Sequence, residues 1–485
     1  MHPGWILLIA IGIVLGGILL LRLHAFLALL LAALAVTMLT STEALVDYGR
    51  EQVASGEWTA QAADEFVHSS APERVANAFG KTCGSIGILI AMAAIIGKCL
   101  LDSGAADRVV RFALGVVGQA RAGLAFVASS FLLGIPVFFD TVFYLMIPLG
   151  KAMRLRTGAN YLLYVLAILA GGTMAHSLVP PTPGPLYVAD ELGVNIGTMI
   201  VAGCLVGLVA VSVGYLYALW ANRRWDLPLR ESADVSLAEL KSLVERDVAE
   251  LPPVWLAVLP IVLPVLLIAG RTVLEGYLDA VGPTGAPAWL IAAEPVASFL
   301  GNKNIALILA AVIALATLAW QKRTGGKELA AAVQTALAGG GVIILITSAG
   351  GAFGATMRQC GVAGQIATMT EGINPLLILP VAFLVTSMIR TAQGSSTVAM
   401  ITSVSVLQQF AASGQLSFHP VYLALAIGCG SKPLAWMNDS GFWVICQMSG
   451  MTETEGLRTI TVQLALMGIA GLAATMLGAT LFPLV

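Results

Sequence analysis

The chain has 485 residues, of which 58% are hydrophobic and 11% charged, with a mean hydropathy of +0.89; soluble domains carry roughly a quarter charged residues. Such a composition describes a polytopic membrane protein, because no stretch is polar for long enough to fold as a separate soluble domain of about 100 to 200 residues. A net charge of −2 leaves no basic footprint for nucleic acid, and six cysteines scattered without CxxC spacing suggest neither a disulfide framework nor a zinc site.

In chain order, the first apolar run is followed rather than preceded by a basic residue, Arg22. That is the wrong polarity for a cleaved signal peptide, so the run reads as a first span. Gly12 and Gly16 within it offer a small-xxx-small face to a second copy of the chain. Runs near the roughly 20 residues that cross a bilayer fall at 4–21, 25–41, 84–101, 159–178, 195–221, 254–270, 304–320, 335–353, 420–437 and 460–483. Two more, 122–150 and 375–403, are apolar but interrupted, the first by Gly134, Pro136 and Asp140, the second by Arg390, Gln393, Gly394, Ser395 and Ser396. They read as full spans or re-entrant hairpins, giving an all-α protein of about 10–12 transmembrane helices.

Basic residues concentrate at Lys98–Arg121, at Lys151, Arg154 and Arg156, at Arg223, Arg224 and Arg230, and at Lys322, Arg323 and Lys327. Short loops rich in Lys and Arg face the cytoplasm, which places the acidic loop 42–80 outside and makes 122–150 a hairpin. Three parts follow: an N-terminal membrane half (1–221), a cytoplasmic linker (222–253) with helix-forming sequence, and a C-terminal membrane half (254–485).

The halves resemble each other. A shift of 256 to 257 positions lays Gly97, Gly104 and Ala106 on Gly354, Gly361 and Ala363, Thr141 and Val142 on Thr397 and Val398, and Gly172 and Gly184 on Gly428 and Gly441. The order of crossings and breaks repeats as well, and the charge pattern sets the two copies in opposite orientations. Inverted repeats with discontinuous helices are the architecture of many secondary transporters, whose substrate sits at the breaks.

Four stretches carry polar residues at membrane depth. "GIPVFFDTVF" holds Asp140, where an ionised carboxylate costs about 2.5–3.5 kcal/mol at a helix centre; it is a candidate proton site or substrate contact. "HSLVPPTPGPL" contains His176, Thr182 and Gly184 among four prolines, which forbid a continuous helix, and open backbone at this depth must line a cavity or be buried in protein. "IRTAQGSSTVAMITS" supplies Arg390, Gln393, Gly394, Ser395, Ser396 and Thr397, hydroxyls and freed N–H groups suited to an anionic polyhydroxylated solute. "GSKPLAWMNDSGFW" supplies Lys432, Asn438 and Asp439, in which the lysine and aspartate can neutralise each other or serve the solute and a proton.

These four stretches resemble the gluconate permease family, the gluconate:H+ symporters of the ion-transporter superfamily, and the resemblance runs from Trp5 to the C-terminus. It implies proton-coupled uptake of gluconate, a related sugar acid or D-serine across the bacterial inner membrane, by alternating access and without a cofactor. Sodium coupling and a passive anion channel are the rival readings. The loops at 222–253 and 271–290 look longer than the family's. On this reading the solute contacts are His176, Thr182, Gly184, Arg390, Gln393, Gly394, Ser395, Ser396, Thr397, Lys432 and Asn438, and Asp140 and Asp439 carry the proton. An enzyme is not expected: Gly80-Lys81-Thr82 lacks the first glycine of a P-loop, which Val75 replaces.

Overall fold

The computed structural model describes residues 3–484 except 20, 22, 55, 231–249, 282–285, 324, 362–373, 413–415 and 437–438. The linker helix expected around 236–251 and the side chain of Asn438 therefore lie outside the described residues. Helices dominate. They are α1 (Pro3–Leu19), α2 (Ala25–Leu39), α3 (Thr42–Ala54), α4 (Ala60–His68), α5 (Ala71–Asp102), α6 (Ala105–Val117), α7 (Ala122–Gly134), α8 (Phe139–Thr157), α9 (Tyr161–Leu178), α10 (Pro183–Glu191) and α11 (Ile196–Arg224). After the linker come α12 (Val254–Val281), α13 (Ala288–Leu300), α14 (Lys303–Lys322), α15 (Gly326–Gln359), α16 (Ile378–Gln393), α17 (Ser396–Ala412), α18 (Val421–Gly430), α19 (Ser440–Ser449) and α20 (Val462–Leu481), the last entered through a turn at Glu453–Gly456 and a π-turn at Leu457–Thr461.

Among the described residues, 7 helical segments are long and apolar enough to cross a membrane, taking α9 with α10 as one, and an eighth forms if α2 and α3, bent by 101°, count together. The chain is a multi-pass membrane protein. Seven of the ten expected crossings coincide with these segments, and three differ. Helix α1 has 17 residues. Helix α2 stops at Leu39 and turns sharply into α3. Run 420–437 holds only the ten-residue α18, about 15 Å long at 1.5 Å per residue and so half a bilayer. Hydropathy averages over the break that follows, where Ser431–Trp436 leave the helix and Pro433 supplies no donor. The acidic loop 42–80 also contains structure: α3, α4, and a Ser70–Glu73 capping box that opens α5.

Both interrupted runs divide into two helices, with Pro136, Gly394 and Ser395 between them and Gly134, Asp140, Arg390, Gln393 and Ser396 at the flanking helix ends. Ile135–Phe138 separates α7 from α8, and Gly394 and Ser395 separate α16 from α17, with Gly394 in the left-handed region at φ 75°. Helix α9 ends at Leu178 because Pro180 and Pro181, joined by a cis peptide, cannot donate to the preceding turn. The chain becomes helical again at Pro183, in a first turn where a missing N–H costs nothing.

The break is buried in protein. Gly428 of α18 would carry a Cβ 2.6 Å from Leu178 Cδ2 and 2.7 Å from the Ser177 carbonyl, and Gly203 of α11 would meet the Leu178 carbonyl. Helix α9, buried over nearly its whole length, runs through the centre between α7, α8, α11, α18 and α20. Its contact with α7 is backbone to backbone at Gly171, where a Cβ would fall on Ser130 Oγ and the Val127 carbonyl and lie 2.7 Å from the Phe131 N. Gly171→Ala is therefore expected to destabilise the fold by at least about 1–3 kcal/mol, the usual cost of overpacking, and to lower the melting temperature in detergent; an unchanged midpoint would show that α7 and α9 separate freely.

Candidate functional site

The four polar stretches converge on one cavity of about 410 Å³. Each contributes from a helix end. Asp140 stands in the first turn of α8, His176 in the last turn of α9, Arg390 in the last turn of α16, and Asp439 caps α19, its Oδ1 accepting from the Gly441 N–H at 2.8 Å. Gly394, Ser395, Ser396 and Thr397 line the cavity at the start of α17, and Lys432 lines it just after α18. Helix N-termini present unpaired N–H groups and the positive end of the macrodipole, and α8, α17 and α19 all begin here.

Arg390 organises the floor. Its Nε donates to the Ser431 carbonyl at 3.1 Å and its Nη2 to the Asp439 carboxylate, with side chains 6% and 8% exposed. The remaining nitrogen, Nη1, is buried and has no partner among the described residues. Such an orphan donor is costly in a folded protein, and a carboxylate is the partner that suits a guanidinium best. Beside it, Ser396 Oγ donates to the same Ser431 carbonyl at 3.1 Å. Lys432, 3% exposed, donates from Nζ to the Thr173 carbonyl of α9 at 3.0 Å and so ties the second half's break to the first half.

Asp140 differs from Asp439. Its side chain is exposed to the cavity and forms no ion pair among the described residues. A Cβ on Gly441 would stand 3.3 Å from Asp439 Oδ1 and 3.8 Å from Asp140 Oδ1, so both carboxylates approach the start of α19. The chamber thus holds two cations, Arg390 and Lys432, and two carboxylates. Counting Lys432 as charged, the charges cancel with Asp140 ionised, and one positive charge is left over with Asp140 protonated.

Not every candidate lines the cavity. The Thr182 hydroxyl, 1% exposed, donates to the Val179 carbonyl at 2.7 Å and holds the α9–α10 break together. Gly184 would carry a Cβ 2.9 Å from Met400 Sδ and 3.9 Å from Thr397 Cα, so it seats α17 from behind. Gln393 ends α16, next to the lining residues Arg390 and Gly394. His176 lines the cavity with its ring edge-on to Phe138, and its Nδ1 is buried with no partner among the described residues.

Several lining residues escaped the sequence reading. Phe138 and Phe139 precede Asp140 in the same motif, and Ser431 precedes Lys432; their position was the available signal. Phe442 likewise follows Asp439 in its motif, whereas Thr173, Ile343, Ile346 and Ile460 carry no such signal, because on apolar helices nothing distinguishes a cavity wall from a packed face.

The arrangement can hold an anion at Arg390 and the α17 N-terminus. Comparison with known proteins shows the family. The model of the GntP family permeases matches residues 66–481. An uncharacterised permease of Haemophilus influenzae is 34% identical over 461 residues, covering 93% of this chain and 86% of its own. A gluconate permease of Pseudomonas aeruginosa is 29% identical with 98% of both chains covered. The L-idonate transporter of the Gnt-II system in Escherichia coli is 28% identical, covering 82% and 86%. Among solved structures, the YdaH transporter of Alcanivorax borkumensis, described as having an unusual topology, aligns with a TM-score of 0.58 at 14% identity over 84% of this chain and 88% of its own, a likeness of fold. With its family model matched over most of its length, the chain belongs to the GntP permease family and is a membrane transporter, not an enzyme.

Proposed function

We propose that the protein takes up gluconate or a closely related sugar acid across the bacterial inner membrane, coupled to a proton, by alternating access. The observation that carries this reading is the chamber in which Arg390 Nη1 and Asp140, both unpaired among the described residues, meet the Ser395–Thr397 helix start. Its volume lies within the range of about 300–1,000 Å³ usual for small-molecule sites. Arg390 and the α17 N-terminus would take the carboxylate, and Ser395, Ser396 and Thr397 the hydroxyls. Asp140 would take the proton, since Asp439 is already committed to Arg390 and to the α19 cap. Protonation would leave the chamber with the one positive charge that a monoanion neutralises, so solute and proton would enter together. The halves 1–221 and 254–485 would act as the two inverted repeats, each supplying a hairpin and a broken helix.

The test is uptake of labelled gluconate into proteoliposomes, first under an imposed pH gradient and then under a sodium gradient, with idonate, ketogluconates and D-serine as competitors. Accumulation driven by the pH gradient alone and suppressed by sugar acids is the expected result. Accumulation driven only by sodium would move the coupling to another ion, and failure to accumulate any hydroxy acid would remove the substrate assignment.

A further inference from the structure

The cavity reaches toward only one end of the helices. On α9 it is lined by Leu169, Thr173 and His176, on α15 by Gly339, Ile343 and Ile346, and by no residue of α10. The end it reaches toward is the basic one. There the Tyr161 hydroxyl at the start of α9 donates to the Ser449 carbonyl at 2.9 Å, Asn222 at the end of α11 accepts from the Leu163 N–H at 3.1 Å, Arg154 lies 3.5 Å from Asp226, and Arg230 binds Glu455. The clustering of basic residues at this end marks it as cytoplasmic.

The opposite end is shut by α10, buried from Pro183 to Ala189, and two adjacent carboxylates fasten its tip to the other helices. Asp190 accepts from Ser85 of α5 at 2.8 Å and from Lys303 of α14 at 3.5 Å. Glu191, with a side chain only 6% exposed, accepts from Arg358 of α15 at 2.9 Å, and the same guanidinium also donates to Gln408 of α17. Arg358 lies 12 residues beyond the last α15 residue of the cavity, about 18 Å along the helix. It therefore touches no solute held at Arg390.

A buried ion pair adds little net stability compared with an apolar contact but is costly to break by removing one partner. That suits a contact made in one conformational state and re-solvated in another. In the shift that superposes the repeats, Asp190 and Glu191 fall on Gln447 and Met448, so the aligned positions of the second half carry no carboxylates. We infer that the Glu191–Arg358 pair is a latch that holds the transporter closed on its outer face, and that its release is required for the site to open outward. This inference rests on the alternating access proposed above and is independent of the identity of the solute.

The experiment uses the full chain without its six native cysteines, carrying Ile343→Cys in the cavity wall. A membrane-impermeant maleimide is applied to right-side-out and to inside-out vesicles with no solute present. The unlatched variants Glu191→Gln and Arg358→Gln are compared with the parent, and Glu191→Arg combined with Arg358→Glu restores the pair reversed; Glu191→Gln keeps size and hydrogen bonding and guards against misfolding. The parent should label from the cytoplasmic face, the single variants should gain severalfold labelling from the outer face, and the swapped pair should return toward the parent. A parent that labels from the outer face, or variants whose sidedness stays unchanged even if uptake falls, would overturn the latch. A wrong solute assignment leaves these labelling results intact.

Discussion

Replacing Arg390 by glutamine is expected to eliminate measurable gluconate uptake. The guanidinium holds three separate parts of the site, the Ser431 carbonyl, the Asp439 carboxylate and, on the proposed reading, the solute's own carboxylate. Truncating one member of a buried, hydrogen-bonded charge pair costs about 2–5 kcal/mol, or at least about thirtyfold in apparent affinity, and Asp439 is then left without its cation at the start of α19. Arg390→Lys separates charge from geometry. A lysine keeps the charge as a point but not the planar fork that spans two oxygens, so it should fold, retain binding and raise the apparent KM. Solute binding to Arg390→Gln as tight as to the parent, measured by scintillation proximity on purified protein, would take Arg390 out of the solute site.

Asp140→Asn is expected to separate transport from coupling. Asparagine has nearly the shape of a protonated aspartate and cannot release a proton, so the variant is fixed in the form whose chamber suits an anion. Exchange of labelled against unlabelled gluconate should persist, while accumulation against a gradient should vanish. One pH unit supplies about 1.4 kcal/mol per proton, enough for roughly tenfold accumulation by one-to-one symport. Under that gradient the parent should approach a tenfold ratio and Asp140→Asn should stop at equality. Asp439→Asn should behave differently, because it strips Arg390 of its counter-ion and should impair binding itself.

Much of this site is legible in the sequence because membrane depth makes polar residues conspicuous. Arg390, Lys432, Asp140 and Asp439 each stand out against apolar neighbours, and prolines or glycines beside them announce that the backbone breaks there. Where a side chain points at a break is another matter, since no periodicity governs non-helical backbone. Thr182 and Gly184 share a motif with His176, yet Thr182 turns onto the Val179 carbonyl and Gly184 seats Met400, while His176 reaches the cavity. Lys432 bonding the Thr173 carbonyl joins residues far apart in sequence by way of an acceptor that every residue carries. The crossing expected at 420–437 fails because a run of largely apolar residues gives no sign of the helix end at Gly430 and of the break at Pro433 beyond it. Asp190, Glu191 and Arg358, at the ends of long apolar helices, look from sequence like ordinary solvated charges; only packing shows that Glu191 is buried against Arg358.

The proposal that one chamber binds the anion together with a proton on Asp140 is tested most directly by following the proton itself. Proteoliposomes containing a pH-sensitive dye and a low concentration of unlabelled gluconate, with voltage clamped at zero and no initial pH difference, receive labelled gluconate outside at a higher concentration. The parent should acidify the lumen in step with gluconate entry, and Asp140→Asn should exchange gluconate with no change in dye signal. Acidification by Asp140→Asn at the parent's rate, or gluconate entry through the parent without acidification, would contradict the account.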